Sequence, residues 1–399
     1  MTNSLQPCKL LHITTVPATL LFLRGQVGYM KLRGLEVHIL SSPGEFLSQF
    51  LEHEQVTAHT VTMTRQITPL QDLWSVVQIW ICLRQIRPQI VHAGTPKGGL
   101  LGMIAAWFAG SPIRIYQMRG LPLMTATGYK RQLLWWTEKI ACLLAHQIIC
   151  NSHSLQRVAI SEGLCPATKI KVLVSGSSNG VDATARFNPA RLPAATRQEI
   201  RQRYRIPADA LVLGFVGRLV QDKGVIELAE AWKTLRQEFP DLHLLMVGRF
   251  EAHDPLPLWV EQLLKDDERI HLTGVELDTP PLYTAMDIFV LPSYVEGFAN
   301  VNLESAAMQL PVVTTNAVGC IDSIQDGITG TLIPAQDVAA LVEALRLYLK
   351  NPELRLQQGI AGRKRVLQEF RQEAIWEAMY QEYAQLLEKQ GLSVPSMVV

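Results

Sequence analysis

The stretch DIFVLPSYVEGFANVNLESA, residues 287–306, joins a short apolar run to two glutamates separated by a Gly-Phe pair. The apolar run, 287–292, is typical of a buried strand, and residues 300–309 have the composition of a helix. Gly297 allows a sharp turn between them. The pattern predicts a strand, a turn and a helix, with Glu296 at the carboxyl end of the strand. Ligands bind at such ends in open α/β sheets.

Strand-like runs alternate with amphipathic helical segments along the chain, which predicts βαβ units and parallel sheets. A polar, proline-containing interval interrupts the alternation at 186–208. We therefore predict two Rossmann-like domains, 1–185 and 209–370, with ligands in the cleft between them and a C-terminal segment, 371–399. The predicted strands are 9–16, 36–41, 58–63, 89–93, 113–118, 146–150, 169–175, 210–217, 242–248, 270–275, 287–292 and 311–315.

Composition and length limit the possible classes of protein. The chain has 399 residues, of which 48% are hydrophobic and 18% charged, so more than one folded domain is expected. Its six cysteines form no CxxC pair, which favours reduced, buried thiols over a metal site or a disulfide framework. The longest apolar stretch, near 100–110, is shorter than the ~20 residues of a membrane span, and the N-terminus lacks a signal-peptide pattern. We expect a cytoplasmic protein.

Charge is distributed unevenly between the two halves. Residues 1–185 carry 16 Lys and Arg against 8 Asp and Glu, although the net charge of the whole chain is only +1. The basic half also contains five of the eight tryptophans, and YKRQLLWWTEK, 129–139, places two of them beside basic residues. These features favour an anionic membrane surface as a partner. The alternative is that the tryptophans fill the domain core, as we expect for helix 69–86.

The segment GFVGRLVQDKG, 214–224, presents two cations in one loop after a predicted strand. Arg218 can bind two phosphate oxygens at once, and Lys223 is a movable point charge. The alternative is a solvated loop with ordinary surface charges. No GxGxxG, P-loop or Asp-x-Asp motif occurs, so NAD, P-loop and magnesium–diphosphate sites are not indicated.

The helix that follows Gly297 directs its first N–H groups at the turn, which is a suitable place for an anion. Glu296 and Glu304 can accept hydrogen bonds from paired hydroxyls of a ribose or a pyranose. One strand end could therefore hold both phosphate and sugar. The alternative is two solvated glutamates.

These motifs resemble the family-4 retaining glycosyltransferases. The Glu-x7-Glu signature of that family corresponds to EGFANVNLE, and GRLVQDKG is similar to its diphosphate clamp. The segments SSNGVD, HITTVP, SSPGE, VHAGTPKGG and MRGLPLMTATG resemble the subgroup that builds capsule and O-antigen units. The resemblance covers almost the whole chain and implies the GT-B fold, with a C-terminal helix that returns to the N-terminal, acceptor-binding domain.

The resemblance also implies site residues. Arg218, Lys223 and Glu296 would be catalytic, the two cations by neutralising the diphosphate of the leaving nucleotide. Glu304 would bind the ribose, and Val275 the base. The remaining donor contacts would be Thr15, Val16 and the backbone of Gly297 and Phe298.

One position departs from the family pattern. The family commonly has His-x-His at the strand end VHAG, where His92 matches the first histidine and Gly94 replaces the second. The missing imidazole leaves full activity open, and His92 is better interpreted as a packed or hydrogen-bonded side chain. On the acceptor side we place His92, Lys97 and Arg119.

The predicted function is metal-independent, retaining transfer of a sugar from a nucleotide diphosphate, UDP in our interpretation, to a lipid-linked saccharide. No cofactor, metal or nucleic acid is expected, and the protein would contact the inner face of a membrane peripherally. Two alternatives remain: a UDP-sugar epimerase of the same fold, and a non-catalytic paralogue that binds nucleotide-sugar.

Overall fold

The computed structural model describes residues 7–64, 66–252 and 254–395. It divides into two compact units. The first, which we call the N-terminal unit, contains the described residues up to Asn179 together with those from Gln372 onward. The second, the C-terminal unit, is Gly180–Arg371. The chain therefore leaves the first unit, builds the second and returns.

The described part of the N-terminal unit contains a seven-stranded parallel sheet in the order β3-β2-β1-β4-β5-β6-β7. The chain moves outward in one direction from β1 and then in the other from β4, so the order reverses between these two strands. The strands are β1 Cys8–Ile13, β2 Leu35–Ser41, β3 Thr57–Thr60, β4 Ile90–Gly94, β5 Ile113–Met118, β6 Gln147–Cys150 and β7 Ile170–Val172. The helices are α1 Gln26–Leu32, α2 Glu45–Glu54, α3 Pro69–Ile86, α4 Pro96–Phe108, α5 Gly128–Leu144 and α6 His153–Ser161.

The described part of the C-terminal unit contains a six-stranded parallel sheet in the order β10-β9-β8-β11-β12-β13. Its order reverses between β8 and β11. The strands are β8 Leu211–Val216, β9 Leu242–Val247, β10 Ile270–Gly274, β11 Ile288–Leu291, β12 Val312–Thr315 and β13 Gly330–Ile333. The helices are α7 Thr196–Arg203, α8 Val225–Glu238, α9 Leu258–Asp266, α10 Pro280–Thr284, α11 Asn300–Ala307, α12 Val338–Lys350 and α13 Pro352–Glu369.

Each reversal opens a crevice at the carboxyl ends of the two strands beside it, which is where open α/β sheets bind ligands. The strands beside these points are mainly apolar and mainly buried, as expected of parallel strands covered by helices on both faces. The candidate site residues lie in the loops that follow these strands. The fold therefore offers one candidate crevice in each unit.

The last helix, α14 Gln372–Lys389, belongs to the N-terminal unit. Its residues Ile375, Met379, Tyr383 and Leu387 repeat every four positions and are all buried. Three of them join the hydrophobic core formed by β1, β2 and their neighbours. This one-sided apolar pattern explains why the chain returns to its first unit.

Two features of the fold differ from the sequence prediction. Residues 186–208, predicted as a linker, lie within the C-terminal unit, where α7 buries Arg201 against the carbonyl oxygens of Ala208, Ala210 and Ala285. The edge strand β13 was not predicted from the sequence. The twelve predicted strands are all present, and all six cysteines are buried.

Candidate active site

Lys223 and Glu296 form an ion pair at the order reversal of the C-terminal sheet. Lys223 lies in the loop after β8 and Glu296 in the loop after β11, so the pair joins the two loops. Their side chains are 17% and 15% exposed, so the pair is shielded but open to a ligand. The Ser293 hydroxyl also donates to Glu296, at 3.0 Å. The site therefore holds one ammonium group and one carboxylate in fixed positions.

Two glycines allow the backbones of these loops to approach each other. A Cβ on Gly224, whose φ is +69°, would lie 2.0 Å from the carbonyl oxygen of Pro292. A Cβ on Gly319, with a φ of +78°, would lie 2.4 Å from the carbonyl oxygen of Glu296. Only glycine fits both the left-handed conformation and this spacing. The backbone around Glu296 is consequently packed against its neighbours.

Arg218 lies two residues beyond β8 and is exposed. Among the residues that the structure describes, none forms a hydrogen bond or an ion pair with its side chain. Lys223, by contrast, is already neutralised by Glu296. Arg218 is thus a cation that is available to an incoming anion.

Glu304 has a different environment from Glu296. It lies in α11 and accepts a hydrogen bond of 2.9 Å from the hydroxyl of Tyr283, in α10. Burial raises the pKa of Glu304 to about 7, although the Tyr283 hydroxyl and nearby Arg186 oppose that shift. Near neutral pH this carboxyl group therefore titrates, and it can either donate or accept hydrogen bonds.

The other predicted donor residues of this unit also follow strands of the six-stranded sheet: Gly297 and Phe298 come after β11, and Val275 after β10. Gly297 is half-buried, whereas the Phe298 side chain is buried against Phe370, so only the backbone of Phe298 is left for a ligand. Val275 follows the edge strand β10 and is 58% exposed, which is unusual for a valine after a sheet strand.

The crevice of the N-terminal unit contains a compact hydrogen-bond cluster. The hydroxyls of Thr15, after β1, and Thr95, after β4, lie 2.7 Å apart. The N–H of Gly98, in the first turn of α4, donates to Thr15 at 2.8 Å. Val16, the next residue, accepts a hydrogen bond from the Thr19 hydroxyl. This cluster fixes the loop after β1 against the start of α4.

His92 is enclosed in the sheet. Its Nδ1 lies 2.6 Å from the Tyr383 hydroxyl and its Nε2 lies 3.1 Å from Oε1 of Gln117. The Gln117 amide nitrogen donates onward to Asn151, so the Gln117 oxygen accepts from Nε2 of His92. The Tyr383 hydroxyl then donates to Nδ1 of His92. Burial, followed by the charge of Arg119, lowers the pKa of His92 to about 3. The imidazole is neutral and joins α14 to the sheet, as the hydrogen-bonded interpretation predicted.

Lys97 is engaged with the chain that precedes α3. It forms an ion pair of 2.5 Å with Asp72 and donates to the carbonyl oxygen of Gln66. Its charge is therefore balanced by Asp72, and its acceptor-side role stays a prediction. Arg119 lies against the end of β4, where a Cβ on Gly94 would be 3.6 Å from its Cζ.

The chain matches two family models. Residues 24–184 match the model described as Glycosyltransferase Family 4, and residues 196–365 match Glycosyl transferases group 1. A Staphylococcus aureus relative, the capsular polysaccharide biosynthesis glycosyltransferase CapM, is 35% identical over 96% of this chain and 98% of the relative. The chain belongs to these glycosyltransferases.

Two further comparisons place this glycosyltransferase among known ones. It is 26% identical, over 78% of its length and 79% of the relative, to the Escherichia coli UDP-Gal:alpha-D-GlcNAc-diphosphoundecaprenol alpha-1,3-galactosyltransferase. Its fold matches Anabaena HepE in complex with UDP-glucose, with a TM-score of 0.79 and 21% identity over 94% of this chain and 99% of the other. The latter likeness concerns the fold and confirms the predicted GT-B class.

Sequence reasoning missed several residues that shape the glycosyltransferase site. Tyr283 holds Glu304, and its position 21 residues earlier gives no local signal. Thr95 could have been recognised, since a threonine before Pro-Lys-Gly-Gly is a helix N-cap, and its side chain accepts from Gly98. The described residues contain no group of three or more His, Cys, Asp or Glu that could hold a metal ion.

Proposed function

We propose that this glycosyltransferase transfers a sugar from UDP-sugar to a lipid-linked saccharide in the synthesis of a surface polysaccharide, with retention at the anomeric carbon. The observation that carries the proposal is the ion pair of Lys223 and Glu296 beside the free cation Arg218. A donor diphosphate needs cations, and a donor sugar needs a hydrogen-bond acceptor. The names of the two relatives, a capsular polysaccharide enzyme and a transferase to a diphosphoundecaprenol-linked sugar, support the acceptor class.

In the proposed mechanism, the acceptor oxygen forms a bond to the anomeric carbon while the bond from that carbon to the β-phosphate oxygen breaks. The acceptor proton moves to the departing diphosphate, on the same face of the sugar. Charge develops on the leaving UDP, and Arg218 with Lys223 would stabilise it. The proposal assigns this role to two side chains and to no metal ion or cofactor. Glu296 would orient the donor sugar.

We assign the remaining roles in the same way. Glu304 would accept hydrogen bonds from the ribose, and Val275 would contact the base. Thr15, Val16 and the backbone of Gly297 and Phe298 would contact the diphosphate or the sugar.

The test is a transfer assay with purified protein, a set of UDP- and GDP-sugars, and lipid-diphosphate-linked saccharides. We expect one UDP-sugar to give an elongated lipid product with an α-linkage. A new free sugar or UDP-sugar without any acceptor would instead indicate an epimerase. Tight binding of UDP without sugar transfer for any combination of donor and acceptor would indicate a non-catalytic paralogue.

The raised pKa of Glu304 predicts pH-dependent binding of the nucleoside. If the carboxylate form accepts the ribose hydroxyls, protonation removes the acceptor, so the affinity for uridine should fall below pH 7. The fall approaches about tenfold per pH unit once the group is mostly protonated. The measurement is calorimetry with uridine, which has no phosphate to titrate, between pH 5.5 and about 8.5.

Glu304→Gln serves as the control for this titration, because its amide does not ionise in that range. The variant should bind uridine weakly at every pH and show no slope. A slope of equal size in both proteins would mean that another group titrates. Tyr283→Phe removes a donor to the carboxylate, so it should shift the midpoint to higher pH.

The N-terminal unit presents an unusual apolar surface, which we call the tryptophan face. It is formed by exposed side chains of α3, α4 and α5, which pack side by side. On α5 the exposed residues repeat every three or four positions, so they form one stripe. The members are Leu70, Leu73, Trp74, Trp80, Ile81, Trp107, Phe108, Tyr129, Leu133, Trp136, Ile140 and Leu143.

The tryptophan face corrects one expectation, since helix 69–86 was expected to bury its tryptophans. Trp74 is 60% exposed and Trp80 39%. Lys130 and Lys139 lie along α5, where the acidic residue Glu138 is buried, and Arg131 is paired with Glu162. An apolar stripe beside basic side chains fits an anionic bilayer surface. We propose that this face places the enzyme peripherally on the inner, cytoplasmic side of a membrane. No described helix has both the length and the apolar character that crossing a bilayer requires.

The protein should therefore co-sediment with anionic vesicles and be released by salt. Each basic residue near such a surface contributes about 1 kcal/mol of attraction, which salt screens. Replacing Leu133 and Trp136 by serine should abolish co-sedimentation. The matched control replaces two exposed apolar residues of α13, Leu356 and Ile360.

Equal co-sedimentation of both double variants, or equal binding to neutral and anionic vesicles, would contradict this proposal. A protein that dimerises through the tryptophan face would instead show a concentration-dependent mass. That mass would change with the Leu133 and Trp136 substitutions and would not respond to vesicles.

A further inference from the structure

Arg119 is a half-buried cation that no acidic side chain among the described residues neutralises. It follows β5, and its Nε is enclosed without a hydrogen-bond partner. Among the described residues its guanidinium makes one hydrogen bond, a long one of 3.4 Å from Nη1 to the carbonyl oxygen of Thr19. The guanidinium also lies 5.1 Å from the ring centroid of Phe22. Both contacts are weak for an arginine in this position.

No carboxylate among the described residues pairs with Arg119. The other enclosed arginines behave differently: Arg201 pairs with Asp287, and Arg114 donates to two carbonyl oxygens at 2.8 and 3.0 Å. Burial lowers the pKa of Arg119 to about 10, the direction expected for a cation removed from water. A buried charge without a partner costs several kcal/mol, so such residues are ordinarily paired.

The groups around Arg119 are polar, and one of them lacks a hydrogen-bond partner. The Nε2 of His12, a side chain only 4% exposed, has no hydrogen-bond partner. Burial holds the pKa of His12 well below its usual value, and the pKa of His92 is lowered as well. Both imidazoles are therefore neutral and add no second charge. The nitrogens of His92 are already bonded to Tyr383 and Gln117, so the free contact is offered by Nε2 of His12. The phenol of Tyr383 is likewise uncharged, because burial raises its pKa.

Gly94 provides the space in which this guanidinium lies. A Cβ there would meet Cζ of Arg119 and Cβ of Gln117, both at 3.6 Å. A methyl group is therefore tolerated, but a longer side chain would occupy the position of the guanidinium. The guanidinium of Arg119 can therefore occupy this position because residue 94 is a glycine.

We propose that Arg119, with His12 beside it, is an oxyanion-binding site of the N-terminal unit that recognises a negatively charged group of the acceptor. This inference rests on the proposed function, because it assumes that the N-terminal unit binds the acceptor. The oxyanion is either the diphosphate of the lipid carrier or the carboxylate of an acidic sugar. Either group would supply the counter-charge that the protein itself does not provide.

The experiment measures binding of inorganic pyrophosphate and of glucuronate by calorimetry, with UDP present at saturation to occupy the donor site. Wild-type protein should bind one of these anions. Arg119→Met should weaken that binding on the order of tenfold or more, the loss expected for a charged hydrogen bond. Arg119→Lys, which keeps the charge without the planar fork, should lie between them. Arg157→Met, which removes an exposed charge of α6, is the matched control and should bind like wild type.

Tighter binding of pyrophosphate would identify the lipid diphosphate as the source, and tighter binding of glucuronate an acidic sugar. Equal affinity in wild-type protein and in both Arg119 variants, or no binding of either anion, would overturn the proposal. Thermal melting verifies that each variant is folded. UDP is titrated into the protein before either anion is added. Absence of UDP binding in that titration would contradict the proposed function itself.

Discussion

Lys223→Ala is expected to weaken UDP binding more than Arg218→Ala does, and neither substitution should change uridine binding as much. Each side chain can form a charge-assisted hydrogen bond to the diphosphate, worth about 1.5–3 kcal/mol. Lys223 has a second effect because it neutralises Glu296. Without it, a shielded carboxylate would face the incoming diphosphate and repel it.

This reasoning provides a control within the chain. The double variant Lys223→Ala with Glu296→Gln removes the repulsion, so it should recover part of the UDP affinity lost in Lys223→Ala. Calorimetry with UDP and uridine on the four proteins measures both effects. Equal losses for uridine and UDP would place the diphosphate clamp elsewhere. A double variant no better than Lys223→Ala would show that Glu296 does not oppose the diphosphate.

Gly94→His is expected to lower sugar transfer on the order of tenfold or more while UDP affinity stays unchanged. On sequence alone, an imidazole at this position could either restore a missing contact or clash. The structure favours the clash, because the imidazole would have to displace Arg119, whose Cζ lies 3.6 Å from the position of Cβ. Loss of one contact made in the transition state has an effect of about this size.

Gly94→Ala is the matched control, since its methyl group meets its neighbours at ordinary contact distance, and its transfer rate should stay close to wild type. Transfer rates and UDP affinities are measured for both variants with the same acceptor. A Gly94→His enzyme that turns over faster than wild type would show that the imidazole assists the reaction and that the guanidinium is dispensable. Unchanged, substantial turnover would show that this position does not face the reacting sugar.

The sequence by itself determined the fold class and indicated which residues are candidates for the site. Strands and helices have local periods, so twelve of the strands and the helix Gln372–Lys389 could be predicted from short windows. The return of that helix to the first unit was implied by the family resemblance. The polar residues that follow buried strands, among them Arg218, Glu296 and Thr15, could be recognised because ligands bind at strand ends. Among the described strands, β13 is the one that sequence reasoning missed.

Tertiary structure decided which of these side chains are available. Lys223 and Glu296 are 73 residues apart, and only the order reversal of the sheet brings their loops together. Lys97 is paired with Asp72, whereas Arg119 has no such partner among the described residues. The tryptophans of α3 are exposed because the neighbouring helices leave that face uncovered. Burial, ion pairing and exposure depend on neighbours that are distant in sequence, and no local pattern contains them.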